Sequence, residues 1–138
     1  MFFHILKQPL KTSVKMATII GIFLPLAETV RRSNQILDLT RFFSWFDDYM
    51  LGGILLIAVY LVKKRKNNAI SFFIAAWGFV AGALFMSFLS QFDYYITNTS
   101  DPGVFSTNFV TIAKGLILVY IIIGLYVAIK ANAFHKNS

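Results

Sequence analysis

Cysteine is absent from this 138-residue chain. No disulfide, thiolate metal site, iron–sulfur cluster or thiol nucleophile can be built, and the redox compartment leaves no mark. Charge is nearly as scarce. Only 14% of the residues are Asp, Glu, Lys or Arg, and only 6 are acidic. Histidine occurs twice, at His4 and His135 near the two ends of the chain. Two such residues do not define a metal site, and neither is placed to hold a haem within a bundle. No metal and no cofactor is expected. HExxH, GxSxG, Walker and dinucleotide-binding glycine patterns are all missing. Ser87 and Ser90 have no histidine nearby to act as a base, so they read as small packing residues or backbone hydrogen bonders. These gaps weigh against an enzyme without excluding one.

Hydrophobic side chains fill the space that charge leaves. They make up 57% of the chain, aromatics 17%, and the mean hydropathy is +0.67. A soluble domain this small leaves much of its surface wet and cannot hide so much apolar area. Lipid is the natural solvent for the excess. The length suits one domain, residues 1–138, without internal repeats or low-complexity tracts.

Four segments lack any ionisable charge: 16–27, 49–62, 67–92 and 115–129. A spanning helix needs about 20 residues to cross about 30 Å of hydrocarbon. Only the third segment reaches that length unaided. The others must draw in a flanking charge. On one side the flanks are Lys15, Lys63 and Lys130, whose long stems snorkel readily. On the other they are Glu28, Asp48 and Lys114. The sequence therefore predicts an all-α membrane protein, a four-helix transmembrane bundle, with helices at about 14–31, 45–63, 68–93 and 109–131. Residues 1–13 read as an interfacial amphipathic segment. A re-entrant first helix is the alternative to a full span. A cleavable signal peptide is a weaker rival, because Pro25 replaces the small residue wanted three positions before a cut at Ala27.

Orientation follows the lysines and arginines. Lys7, Lys11 and Lys15 precede the first segment, Lys63, Lys64, Arg65 and Lys66 follow the second, and Lys130 and Lys136 follow the fourth. An even number of crossings puts all of them on one side, the cytoplasmic one, with both termini. All six acids fall on the other: Glu28, Asp38, Asp47, Asp48, Asp93 and Asp101. A multi-pass protein of a bacterial cytoplasmic (inner) membrane is expected. The net charge of +7 reflects this topology and not nucleic acid, because no basic stripe with interleaved aromatics exists. The run Lys63, Lys64, Arg65, Lys66 is expected to attract anionic lipid.

Local signals add detail. Ser44 followed by Asp47 reads as a capping box opening the second helix. Residues 97–103 read as an exposed turn. Pro25 is expected to bend the first helix near its outer end. Trp45, Tyr49, Phe92, Tyr94, Tyr95 and Phe109 gather near the outer helix ends as an aromatic belt. Ser71, Ala75, Gly78 and Gly82 share one face of the third helix. Small residues let helices approach closely in lipid. Contact within the monomer is the favoured role of this face, with Gly52, Gly53 and Gly124 as its counterparts, and a homo-oligomer or larger membrane complex is the alternative.

The candidate site is the outer ionisable layer: Glu28, Arg31, Arg32, Asp47, Asp48, Asp93 and Lys114. In one reading these converge on a pocket with Lys114 at its floor. In the other they act piecemeal: Glu28 pairs with Arg32 along one helix, the two aspartates favour a first turn, and Lys114 snorkels. The expected function is a non-enzymatic, transport- or channel-like or accessory membrane subunit. The alternative is a membrane-embedded enzyme or binding protein for a lipid or hydrophobic ligand at the outer leaflet.

Overall fold

A computed structural model describes residues 8–33, 42–98 and 104–136. Its described residues form four helices: α1 (Pro9–Arg31), α2 (Phe42–Lys63), α3 (Ala69–Ile96) and α4 (Thr107–Lys136). Each packs mainly on two neighbours, in the ring α1–α2–α3–α4 and back to α1. Cross-helix contacts run in opposite senses along every pair. Gly21 meets Leu56 while Pro25 meets Gly52, and Gly124 meets Trp77 while Gly115 meets Phe88. The bundle is antiparallel around the ring, so α2 and α4 run parallel to each other across the diagonal. One end gathers Lys11, Lys15, Lys63, Lys64, Arg65, Lys66 and Lys130; we call it the basic end. The other, with Glu28, Asp47, Asp48 and Asp93, is the acidic end.

Three helices, α1, α3 and α4, are long and apolar enough to cross a membrane. The outer surface agrees. Leu116 is 68% exposed, Ile112 65% and Met86 64%, and similar apolar side chains cover all four helices. Water does not tolerate apolar area on that scale. The chain is a helical membrane protein.

The termini of the helices follow ordinary stereochemistry. Pro9 opens α1 at a position where its missing N–H is no loss. The helix takes in residues 9–13 of the expected interfacial segment; residues 1–7 of that segment lie outside the described residues. Helix α2 closes on a Schellman turn, in which Lys66 N–H donates to Leu61 O and Arg65 N–H to Val62 O. The turn holds Arg65 at φ 53°, a left-handed position usually given to glycine. Ser106 caps α4 by accepting the Phe109 N–H at 3.3 Å. One expectation is corrected here. Ser44 lies inside α2, which already includes Phe42, so it does not open the helix. Asp47 instead accepts the N–H of Asp48 at 2.8 Å. Asp38, Arg41 and Asp101 lie outside the described residues.

Two close approaches hold the ring together. On the α1·α2 side, Pro25 has no N–H to offer the carbonyl of Gly21. That carbonyl turns toward Gly52, where an added Cβ would lie 2.5 Å from Gly21 O and 2.9 Å from the Pro25 ring. On the α3·α4 side, Gly124 leaves room for the buried Trp77 ring, which a Cβ there would strike. Trp77 Nε1 donates to Ser13 Oγ at 3.1 Å, and Ser13 Oγ donates to Gly124 O at 3.2 Å. Three helices thus meet in one buried polar junction at the basic end. Nearby, Tyr120 OH donates to Met16 O at 3.0 Å.

The small-residue face of α3 is not part of this packing. Ser71, Ala75, Gly78 and Gly82 are exposed, and a Cβ on Gly78 or Gly82 would meet nothing within 4 Å. The favoured contact within the monomer is therefore not made. The reason lies one residue away. Phe73, Trp77, Val80 and Leu84 are buried, and turning this bulky stripe inward rotates the small one out by about 100°. Gly53 is likewise open, whereas Gly52 and Gly124 do pack.

Candidate functional site

At the acidic end the helices part. A cleft of about 380 Å³ lies chiefly between the last turns of α1 and the first turns of α4. Eleven of its fifteen lining residues are apolar; the other four are Glu28, Arg31, Asp48 and Lys114. Sequence gave no reason to expect the apolar walls, which come from Phe23, Leu26, Phe105, Phe109 and Ile117 among others. Spacing along α1 supplies part of the wall: Phe23, Leu26, Ala27 and Val30 fall at intervals of three, one and three. The segment before α4 supplies the cover. Val104 N–H donates to Arg31 O at 2.9 Å, which caps the end of α1 and sets Phe105 over the cleft.

Helix α1 places the first charges by its own periodicity. Glu28 is buried, and its carboxylate receives Arg32 Nε at 2.5 Å and Arg31 Nη1 at 3.2 Å. These are the i,i+4 and i,i+3 partners. Helix α2 adds Asp48, half-buried, whose carboxyl lies within interaction range of Glu28, Asp47 and Lys114. Tyr49, its neighbour, is hydrogen-bonded to Thr29, while Thr29 Oγ1 donates back to Pro25 O at 2.8 Å. This pins α2 to α1 beside the charged groups. From α4, Lys114 Nζ donates to Ser87 Oγ on α3 at 2.8 Å. All four helices thus contribute to one polar layer.

The two sequence readings are both partly realised. Glu28 pairs along α1, as the piecemeal reading expects, yet it also lines the common cleft with Asp48, Arg31 and Lys114. Lys114 is half-buried and turned to Ser87, and it does not simply extend along the helix surface. Arg32 joins through Glu28, and Asp47 through the field it exerts on Asp48. Asp47 and Asp93 are exposed and do not line the cleft. Ser87 was legible only as a small residue; no spacing rule links residues 27 apart on different helices. Gln91, one turn beyond Ser87, is also buried, with its side-chain nitrogen unpaired.

Beneath the layer the interior is sealed. Leu24, Leu55, Val80, Leu84, Leu118 and Ile121 are buried and belong to one hydrophobic cluster. Among the described residues no group of His, Asp or Glu could hold a metal ion. Neither a family model, a curated protein nor a solved structure matches the chain.

Proposed function

We propose that this protein is a small membrane-embedded binding protein whose acidic-end cleft takes a hydrophobic ligand bearing a polar head. The observation that carries the reading is the make-up of the cleft: apolar walls formed chiefly by two helices, with Glu28, Asp48, Arg31 and Lys114 gathered among them. A volume of about 380 Å³ falls in the range of small-molecule sites, which are apolar with a few placed polar groups. The apolar wall would hold a chain or ring system, and the layered charges would orient its head.

In this reading α2 crosses the membrane with the other three helices, both termini lie on the basic side, and that side faces the cytoplasm. The exposed run Lys63, Lys64, Arg65 and Lys66 then lies against anionic headgroups, at about 1 kcal/mol per residue near the surface. A conduit through the monomer is less well supported. Ions and protons need polar groups all the way across, and the layer at and below the bottom of the cleft is Leu24, Leu55, Leu84 and Leu118.

Native mass spectrometry on protein extracted in a mild detergent tests the proposal. A bound amphiphile is expected as a discrete mass increment on the wild-type chain. Ala113→Trp, which places an indole in the cleft, should remove the increment while the fold persists by circular dichroism. An increment of equal occupancy in the variant would contradict the assignment.

A further inference from the structure

The seam between α1 and α2 advances by about one turn at a time. Gly21 meets Leu56, and Pro25 meets Gly52. The next turn carries two polar rungs in the same register. Thr29 is hydrogen-bonded to Tyr49, and beside it the carboxyl groups of Glu28 and Asp48 share a hydrogen bond. Neighbours on one helix thus meet neighbours on the other. At Gly52 the seam is closed by the Gly21 carbonyl and the Pro25 ring, whereas this last turn is held by side chains alone.

A bond between two carboxyl groups has a chemical requirement. An ionised carboxylate only accepts, so one of the two groups must carry a proton and donate it. The surroundings say which. Glu28 receives Arg32 Nε at 2.5 Å and Arg31 Nη1 at 3.2 Å, two cations from its own helix, and is the carboxylate. Asp48 is the acid, and its O–H donates to Glu28. Among the described residues, the charged groups that face the pair are Arg31 and Arg32 from α1, Asp47 from α2 and Lys114 from α4. The hydroxyl of Tyr49 is engaged with Thr29. Helix α3 reaches the layer through neutral Ser87, which accepts from Lys114, while Asp93 on the same helix is exposed and does not line the cleft.

Loss of the proton changes what this rung does. Two carboxylates in contact repel strongly where water is scarce. Each then has partners away from the other: Lys114 on α4 for Asp48, and the two arginines for Glu28. The rung opens, and the cleft wall is what it releases. Ala27, Val30 and Arg31 stand within one turn of Glu28 on α1 and line the cleft with it. Glu28 and Asp48 so serve two interfaces at once, the α1·α2 seam and the cleft, and the cleft has the shape that the bonded pair gives it.

Granting that the cleft is a binding site, we propose that the Glu28–Asp48 pair carries one exchangeable proton that latches α1 to α2, and that the cleft binds its amphiphile in the proton-bearing state. Binding then takes up at most one proton, and affinity falls as pH rises, by no more than about tenfold per pH unit. A long-chain alcohol bearing a benzophenone tests this in nanodiscs, because neither the alcohol nor the photogroup titrates. Photolabelling of the α1 and α4 cleft segments, followed against probe concentration from mildly acid to mildly alkaline pH, should give a wild-type affinity that drops with pH. Asp48→Asn puts an amide N–H in the place of the acid proton and cannot ionise. Its affinity should be independent of pH and several-fold above that of the wild type at the alkaline end. A wild-type affinity that ignores pH would overturn the proton linkage and leave the cleft reading standing. An equal fall in Asp48→Asn would overturn the assignment to this pair. Labelling of the cleft at no pH would overturn both readings. Infrared difference spectra read the proton itself and need no ligand. The carbonyl stretch of an un-ionised carboxylic acid should vanish from the wild type as pH is raised through the same range, and should be missing from Asp48→Asn. Its absence from the wild type at mildly acid pH would overturn the shared proton.

Discussion

The two ends of the bundle solve the same problem in opposite ways. Each brings polar groups into a membrane protein's interior. At the basic end, buried Trp77, Ser13 and Gly124 form a junction in which each donor has an acceptor. At the acidic end, Glu28, Asp48, Arg31 and Lys114 surround a cleft. The first arrangement gives stability; the second leaves charged groups around a volume that a ligand can enter. Packing explains the contrast. Glycines at 21, 52 and 124 let helices close where they meet, whereas the cleft is lined by the larger side chains of Phe23, Phe105 and Phe109.

Substitutions that attack the closed contacts should have the largest effect. Gly52→Ala puts a methyl into the Gly21 carbonyl and the Pro25 ring, neither of which can turn aside. A loss of about 2–3 kcal/mol is expected for such overpacking, read as a fall in thermal midpoint in detergent. Its neighbour is the control. Gly53→Ala meets nothing within 4 Å and should hold stability or raise it by up to about 1 kcal/mol, because alanine favours the helix. Similar losses in both would mean that something other than the close approach at Gly52 governs α2.

Lys114→Met comes next and acts on the open end. It removes the donor to Ser87 and leaves the carboxyls Glu28 and Asp48 less well matched. Ligand affinity should fall about tenfold, the worth of one charged hydrogen bond near 1.4 kcal/mol. Unchanged affinity would remove Lys114 from the site. At the closed end, Ser13→Ala strands the Trp77 N–H in a buried setting, for a loss of about 1–2 kcal/mol. With Trp45 replaced by Phe, the emission of Trp77 should also shift. Ligand occupancy should not change, and a change would show that the two ends are coupled.

The smallest effects are expected on the outside. Arg65→Gly relieves a left-handed residue at φ 53° and should raise stability by up to about 1 kcal/mol. Destabilisation would mean that the arginine side chain contributes more than its backbone strain costs.

How far the sequence carried depended on what kind of signal each feature left. Charge segregation around Lys15, Lys63 and Lys130, against Glu28, Asp48 and Lys114, anticipated four helices of alternating direction, although three apolar segments were short. It also marked the level at which the cleft lies, because those three residues intrude at the same helix ends. Facing was harder. The spacing of Ser71, Ala75, Gly78 and Gly82 correctly puts them on one face but cannot say which way that face turns. Trp77 decides it, through a serine 64 residues away and a glycine 47 residues away in the chain. The same limit hid the apolar walls. Phe105 reaches the cleft because Val104 bonds to the end of α1, a contact with no local signature. The expected cap at Ser44 failed for a simpler reason: α2 already includes Phe42, so the cap residue lies within it.

A single introduced thiol tests the central claim most directly, since the chain has none of its own. Ala113→Cys lines the cleft, and Gly82→Cys lies on the outer face with nothing near it. Both are treated with an uncharged maleimide in nanodiscs, with and without a long-chain alcohol. If the cleft binds amphiphiles, the alcohol should slow labelling at 113 at least fivefold and leave 82 unaffected. Equal rates at 113 with and without the alcohol would contradict the account.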